Sequence, residues 1–335
     1  MARRRLTQRQ KLRIEAVQEK RRRQLDTFVP DRITPANEDA SQPGRVITRH
    51  GQNLAVADTQ GNLHRCLLRQ SIGEPVCGDR VVWQPTTSDQ GVVTALLERD
   101  SVLTRPTYGG VAKPLAANMD LLVVVLAPEP APSRYLLDQY LVAAEILDVG
   151  VVITVNKCDL IDDQTAAEFD QNFGHYEKIG YPLVRVSAKL DHGLEPLLER
   201  LSRKTGILVG QSGVGKSSLV KALLPDIDIQ TGRLSETSGM GRHTTSATTL
   251  YRMSQGGELI DSPGVRSFRL GRMNARQLES GFREFQPFIG HCRFSDCSHD
   301  HEPDCALINA ICDGLIHPRR LENFRHMAAN LVSDY

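Results

Sequence analysis

The chain has 335 residues, of which 40% are hydrophobic and 24% are charged, and its net charge is +1. This is the composition of a globular protein with enough chain for two or three small domains. The longest aliphatic run, at 121–126, is far too short to cross a bilayer, and no apolar segment follows the charged N-terminus as in a secretory signal. We therefore expect a cytoplasmic protein with no membrane partner.

The basic residues are concentrated at the N-terminus. Residues 1–25 contain ten Lys or Arg and two acidic residues, so they carry +8 while the rest of the chain carries −7. We interpret residues 1–43 as a basic, disordered arm and linker. Such an arm is typical of a segment that lies on polyanion phosphates, although a solvated arm without a partner has the same composition. Nucleic acid is the partner that this pattern favours.

Residues 44–100 predict a small β-barrel. Turn signals such as Gly51-Gln52 and Gln60-Gly61 separate short segments with strand character. The predicted strands are 45–49, 54–58, 63–68, 80–84 and 91–97. Five short strands fit an OB-fold, and an SH3-like barrel fits the strand count nearly as well.

Residues 101–268 alternate between strands and helices, which predicts a parallel sheet with crossover helices. The segments 121–126 and 151–155 are continuous aliphatic runs, as strands buried on both faces require. Shorter strands are predicted at 183–186 and 207–209, and helices around 136–147, 166–179 and 194–201. Ligands bind beyond the carboxyl ends of such strands, and three of the loops there carry motifs.

The loop after 207–209 reads GQSGVGKS and precedes a helical run at 218–224, which is the context of a P-loop. Backbone N–H groups in such a loop surround phosphate oxygens. Lys216 is expected to bridge the β- and γ-phosphates, and Ser217 to bind Mg²⁺. The predicted nucleotide contacts are Gly210, Gln211, Ser212, Gly213, Val214, Gly215, Lys216, Ser217 and Ser218.

The motif NKCD directly follows the strand at 151–155, and SAK follows the strand at 183–186. The Asp159 carboxylate can accept hydrogen bonds from the ring N–H and the amine of guanine, a donor pair that adenine lacks, so the site selects GTP over ATP. The N–H of Ala188 is expected to reach the guanine oxygen. The predicted base-reading residues are Asn156, Lys157, Asp159, Ser187, Ala188 and Lys189.

The motif DSPG follows a short strand at 258–260. Asp261 suits the carboxylate near Mg²⁺, and the N–H of Gly264 suits the γ-phosphate. The preceding segment, 232–245, is rich in Gly, Ser and Thr and is typical of a mobile loop. Either Thr244 or Thr245 should bind Mg²⁺ when GTP is present, with Thr245 slightly favoured.

The residue after DSPG is Val265, where many GTPases have a glutamine that orients the attacking water. A valine cannot accept a hydrogen bond from water, so hydrolysis needs another group or is very slow without a partner. His243 is the candidate, because a neutral imidazole accepts a proton near physiological pH.

Residues 269–335 contain Cys292, Cys297, His299 and Cys305 in the pattern C-x4-C-x-H-x5-C, followed by apolar residues at helical spacing. Three thiolates and one imidazole complete a tetrahedral, structural zinc site. His301 is the alternative to His299. We expect a small helical domain stabilised by one zinc ion.

The motifs stand in a permuted order, because NKCD and SAK precede the phosphate loop. Together with the barrel and the Cys/His cluster, this order resembles the RsgA/YjeQ family of bacterial GTPases over residues 44–320. The resemblance implies an OB-fold that contacts ribosomal RNA, a role in late maturation of the 30S subunit, and GTPase activity that the subunit stimulates. It also implies that His243 is the catalytic histidine and that a hydrophobic residue is normal at Val265.

The leading hypothesis is therefore a GTPase bound to the 30S subunit and its 16S rRNA. The alternative is a nucleotide-gated RNA-binding protein in which hydrolysis is incidental. We expect a monomer and no DNA partner. Because DSPG lies just before the Cys/His domain, we also expect GTP and GDP to orient residues 270–335 differently on the ribosome.

Overall fold

The structure is a computed structural model that describes residues 41–69, 72–105, 113–190, 193–238, 247–262 and 273–333. Its strands are β1 (Gln42–His50), β2 (Asn53–Ala57), β3 (Leu63–Leu68), β4 (Arg80–Pro85), β5 (Gln90–Leu96), β6 (Val102–Arg105), β7 (Lys113–Ala117), β8 (Leu121–Leu126), β9 (Gly150–Val155), β10 (Leu183–Arg185), β11 (Thr205–Gly210), β12 (Thr249–Arg252) and β13 (Glu258–Asp261). Its α-helices are α1 (Arg134–Ile146), α2 (Asp163–Lys178), α3 (Glu195–Leu201), α4 (Lys216–Leu223), α5 (Ile227–Ser238), α6 (Ala275–Ser280), α7 (Ala306–Cys312) and α8 (Pro318–Ser333).

The N-terminal strands form a closed barrel around a core that includes Val46, Val56, Val81 and Trp83. Strand β1 pairs with both β2 and β4, β4 pairs with β5, and β5 pairs in parallel with β3. This order closes the barrel with the OB-fold connectivity. The predicted OB-fold is therefore confirmed, and the SH3-like alternative is wrong.

The central sheet has the order β10-β9-β8-β11-β13-β12, in which β12 is antiparallel to β13 and the other pairs are parallel. Strand β8, with the sequence LLVVVL, is buried along its whole length, as its aliphatic composition predicts. The expected parallel sheet with crossover helices is confirmed.

Strand β1 joins the barrel to the central sheet, because Thr48 pairs with Thr249 of β12 and extends the ladder to 11 strands. A register shift in β1 between Val46 and Thr48 accompanies this change of partner. The Arg45 guanidinium reinforces the junction, since it contacts Glu258 at 2.6 Å and Thr205 at 2.9 Å. The barrel is thus fixed to the sheet on the side of β12.

The C-terminal residues pack around a core that includes Leu278, Phe282, Phe285 and Phe324. Val142 of α1 belongs to the same core, so the central domain contributes a side chain to it. The proposed domain limits at 43/44, 100/101 and 268/269 stay predictions.

Three features differ from the sequence analysis. The hairpin β6–β7 and the strand β12 were not predicted. The expectation that a loop begins at residue 232 is wrong, because α5 continues to Ser238. Tertiary contacts override the weak helix propensity there: Leu234 is buried, and Gln230 bonds both to the N–H and to the carbonyl of Arg252.

Among the described residues, we find no helix with the length and apolar character that a membrane span requires.

Candidate guanine-nucleotide site and metal centre

The predicted motifs meet at one edge of the central sheet. NKCD follows β9, SAK lies just beyond β10, the phosphate loop follows β11, and Asp261 ends β13. The strand ends are level, since Val125 of β8 pairs with Gly210 and Leu126 pairs with Val155. The carboxyl ends of parallel strands form the usual ligand crevice of an α/β sheet.

The phosphate loop needs glycine at two positions for steric reasons. Gly210 has φ 139°, and a Cβ there would lie 2.3 Å from the Val125 carbonyl oxygen. Gly215 has φ 90°, and a Cβ there would lie 2.4 Å from Asn156 Nδ2. Both positions combine left-handed backbone with close contact, so a side chain would force the loop open.

Within the loop, Val214 is buried, whereas Ser212, Ser217 and Ser218 are exposed. Lys216 begins α4, and its Nζ donates to the carbonyl oxygens of Gly210 and Gln211 at 2.7 and 2.6 Å. The ammonium therefore lies inside the curve of the loop, next to the N-terminus of α4. This arrangement of a cation and a helix N-terminus suits phosphate.

Asn156 connects the three loops. Its Nδ2 donates to the Val214 carbonyl oxygen at 2.9 Å, and its Oδ1 accepts from the N–H of Ala188 at 3.1 Å. Asn156 is buried, so these bonds form out of water and hold NKCD, SAK and the phosphate loop in one arrangement. The N–H of Ala188 bonds to Asn156 here, and its contact with guanine stays a prediction.

Asp159 is exposed, but its carboxylate is oriented by Ser187, whose buried hydroxyl donates to Oδ1 at 2.5 Å. This hydrogen bond lowers the pKa of Asp159 below the usual aspartate value. An ionised carboxylate only accepts hydrogen bonds, so the group suits a ligand edge with two donors. Lys189, the last residue of SAK, is exposed beside it.

Lys157 makes contacts that the sequence did not indicate. It has φ 60°, and its Nζ donates to the carbonyl oxygens of Glu129 and Gly213, both at 2.8 Å. Gln211 makes another, because its Oε1 accepts from the backbone N–H of Ser133 at 3.1 Å. The loop between β8 and α1 therefore forms one wall of the site, and the only sequence signal for it was a serine before a helix.

Asp261 lies at the end of β13, one residue after Ile260, which pairs with Ile207 of β11. Burial raises the pKa of its carboxyl above the usual aspartate value. A nearby cation would oppose this shift and favour the ionised form. His243, Thr244, Thr245, Gly264 and Val265 lie outside the described residues, as does most of the basic arm.

Cys292, Cys297, His299 and Cys305 come together with their ligand atoms within 4.8 Å of one another. The Sγ atoms of Cys292 and Cys305 are 3.9 Å apart, and His299 Nδ1 is 3.5 and 3.3 Å from them. A tetrahedral zinc ion with Zn–S bonds of about 2.3 Å would separate two sulfur atoms by about 3.8 Å. The donor set therefore fits zinc.

The structure distinguishes His299 from His301. His299 is buried, and its Nε2 bonds to Glu279 at 3.1 Å, which leaves Nδ1 directed at the thiols. A carboxylate on the second ring nitrogen is typical of metal-binding histidines. His301 is 87% exposed and contacts Asp300 instead. Glu279 is the outer partner that sequence reasoning missed.

Base-reading loops that precede the phosphate loop, on a parallel sheet with a P-loop, define a circularly permuted P-loop GTPase. The family model of the RsgA GTPase matches residues 96–271. The chain belongs to the RsgA GTPase family.

Relatives match the chain along nearly its whole length. The small ribosomal subunit biogenesis GTPase RsgA of Azotobacter vinelandii is 44% identical over 99% of this chain and 98% of its own. The protein of the same name from Pseudomonas aeruginosa strain UCBPP-PA14 is 44% identical over 100% of both chains.

Solved structures agree with the fold. The crystal structure of YjeQ from Thermotoga maritima has a TM-score of 0.72 and 31% identity, and covers 88% of this chain and 99% of its own. The circularly permuted GTPase YloQ has a TM-score of 0.72 and 27% identity, and covers 90% of this chain and 99% of its own.

Proposed function

We propose that this GTPase binds the small (30S) ribosomal subunit and acts in its late maturation, hydrolysing GTP to GDP and phosphate with stimulation by the subunit. The main support is the full-length similarity to relatives named small ribosomal subunit biogenesis GTPase, together with an intact base-reading and phosphate-loop arrangement.

Guanine recognition is assigned to Asp159, with Ser187 orienting its carboxylate and Asn156 holding the loop. Lys189 and the aliphatic stem of Lys157 are proposed to lie against the guanine base. The orientation of Asp159 in the free protein supports this assignment, because a carboxylate that is already placed loses little conformational entropy on binding. Adenine would leave that carboxylate without its donors, which disfavours ATP.

Hydrolysis is assigned to water attacking the γ-phosphorus of GTP while the bond to the β-phosphate oxygen breaks. Lys216 neutralises charge on the β- and γ-phosphates, and Ser217 and Thr245 are the residues that would hold Mg²⁺, with Asp261 nearby. His243 is proposed to orient the water, because Val265 offers it no acceptor. We propose that the subunit positions His243, which would explain why turnover depends on the subunit.

The barrel is the proposed contact for 16S rRNA. Residues 65, 67 and 69 alternate along β3 and its extension: Arg69 is exposed, Leu67 is 54% exposed, and Arg65 is half-buried. The face of the second and third strands is where OB-folds bind oligonucleotides. The basic arm, residues 1–43, would add phosphate contacts.

One structural zinc ion is proposed to bind at Cys292, Cys297, His299 and Cys305. The protein acts in the cytoplasm as a monomer, without a DNA or membrane partner.

Turnover measured with purified 30S, 50S and 70S particles tests this function. We expect strong stimulation by 30S and little by 50S. Tight GTP-dependent binding to 30S without any stimulation would instead favour the nucleotide-gated RNA-binding protein. Val265 is compatible with that alternative, because a valine cannot orient the attacking water. No binding to 30S would contradict both hypotheses.

A further inference from the structure

Helix α1 begins at the phosphate loop. The backbone N–H of Ser133, its N-cap residue, donates to Gln211 Oε1 at 3.1 Å, and the Ser133 hydroxyl accepts from the N–H of Leu136 at 3.2 Å. The start of α1 thus holds the side chain of Gln211, the second residue of the phosphate loop.

The body of the same helix is buried against the C-terminal residues. Asp138 is fully buried and accepts hydrogen bonds from Arg320 at 2.5 Å and from Asn323 at 2.6 Å, both on α8. One turn later, Val142 packs against Gly281, where an added Cβ would lie 2.6 Å from Val142 Cγ1. A buried ion pair and close packing fix α1 relative to the C-terminal residues.

The last turn of α1 makes a third contact. Glu145 Oε1 accepts from Arg283 at 2.7 Å, and the Arg283 guanidinium stacks 4.3 Å from the centre of the Tyr181 ring. Arg283 also donates to the carbonyl oxygen of Gly180 at 3.1 Å. This contact is partly exposed, so it can be removed without leaving a buried charge unpaired.

We propose that α1 is a positioning element through which docking of the C-terminal domain sets the geometry of the phosphate loop at Gln211. A helix of 13 residues is about 20 Å long, so α1 spans the distance between its contact with Gln211 and its contact with Arg283. This route differs from the connection through DSPG that the motif order indicated, and it rests on the proposed function only for the identity of the nucleotide.

A docked domain holds α1, α1 holds Gln211, and the loop is preorganised for phosphate, so loss of docking weakens nucleotide binding. Coupling between two sites is reciprocal, so GDP must stabilise docking by the same factor.

Arg283→Ala in the full-length, zinc-loaded protein is the primary test, with the affinity for a fluorescent GDP analogue and Mg²⁺ measured without ribosomes. We expect affinity to fall about fivefold, at the lower end of measured allosteric couplings. Arg293→Ala is the matched control: Arg293 is a partly exposed arginine of the same domain, pairs with Asp304 at 3.0 Å, and lies near the Phe294 ring.

Gln211→Met tests the route, because methionine keeps the length of the side chain without the oxygen that accepts from Ser133. This variant should itself bind GDP more weakly. In its background, Arg283→Ala should cause little further loss. Independent, additive losses would overturn the route through Gln211.

Hydrogen exchange of the α8 amides supplies a readout that does not depend on affinity. GDP should slow exchange in wild-type α8 and have a much smaller effect in Gln211→Met. Equal GDP affinity of wild type and Arg283→Ala, equal losses in Arg283→Ala and Arg293→Ala, or no effect of GDP on α8 exchange would each overturn the proposal. None of these measurements involves the ribosome, so the proposed function is tested separately.

Discussion

At the scale of single residues, the orientation of Asp159 depends on a buried hydroxyl. Ser187 is fully buried, donates to Asp159, and also accepts from the N–H of Leu190 at 3.3 Å. The Asp159 carboxylate, which we propose to read the guanine base, is therefore positioned by the neighbouring loop.

Ser187→Ala removes the hydroxyl that orients the Asp159 carboxylate but keeps the carboxylate itself. We expect affinity for GDP to fall about fivefold, the effect of one hydrogen bond, with the fold unchanged. Ser254→Ala, in the exposed turn between β12 and β13, is the control and should bind like wild type. Titration with a fluorescent GDP analogue measures both, and wild-type affinity in Ser187→Ala would contradict the role of Ser187.

His175 makes the folding stability of the protein depend on pH. Both of its ring nitrogens are buried and have no hydrogen-bond partner among the residues that the structure describes, and the centre of the ring lies 4.2 Å from that of the stacked His317 ring. Burial lowers the pKa of His175 from 6.5 to about 3. Below about pH 6.5, His175 is therefore protonated in the unfolded chain but stays neutral in the folded protein. Stability consequently falls as pH decreases from 6.5 toward 3.

His175→Phe should remove this contribution. Between pH 7.5 and 5.5, wild type should lose about 1 kcal/mol more unfolding free energy than the variant, after allowance for the partial exposure of the ring. Urea unfolding at the two pH values measures the difference. His291→Phe, at an exposed position beside the metal cluster, controls for acid effects on the cluster. If His175→Phe lost as much unfolding free energy as wild type, His175 would not be a source of this pH dependence.

At the scale of elements, the contact between α1 and α8 rests on charges removed from water. Asp138 and Arg320 are both fully buried, and Glu284 and Tyr176 complete their hydrogen bonds. Such a group is costly to leave unpaired.

Asp138→Asn should lower the unfolding free energy by about 3 kcal/mol, because Arg320 keeps its charge and loses one buried partner. Asp170→Asn is the control: Asp170 pairs with Arg185 on the surface, where its side chain is 60% exposed, and an exposed pair contributes about 0–1 kcal/mol. Urea unfolding measures the unfolding free energy of the two variants. Similar decreases in the two would mean that burial of the Asp138–Arg320 pair does not matter for stability.

The elements that the sequence predicted are those with local signals. Strand β8 is a continuous aliphatic run, β9 is β-branched from Val151 to Val155, and α1 has a serine cap followed by apolar residues at helical spacing. Strand β12 was missed because it is short and is defined by its partners, β13 and β1. Helix α5 depends in the same way on packing against the barrel and on Gln230.

At the scale of the whole molecule, the sequence could predict which loops carry the candidate site, because each motif is contiguous and follows a predicted strand. The contacts between motifs were not, because they join residues that are far apart in the chain. Asn156 and Val214 are separated by 58 positions, and Gln211 and Ser133 by 78. Only the folded sheet brings them together.

The barrel is joined to the edge of the central sheet through β1, and Val142 of α1 packs in the same core as the C-terminal residues. Both flanking domains are therefore fixed to the nucleotide-binding sheet by direct contacts.

The most direct test of subunit-stimulated hydrolysis is GTP turnover at saturating GTP, with increasing 30S, for wild type and His243→Ala. We expect slow turnover of wild type alone, strong stimulation by 30S, and a stimulated rate about 100-fold lower in His243→Ala, with GTP binding retained. Wild-type turnover that stays the same when the protein is saturated with 30S would contradict a subunit-stimulated GTPase.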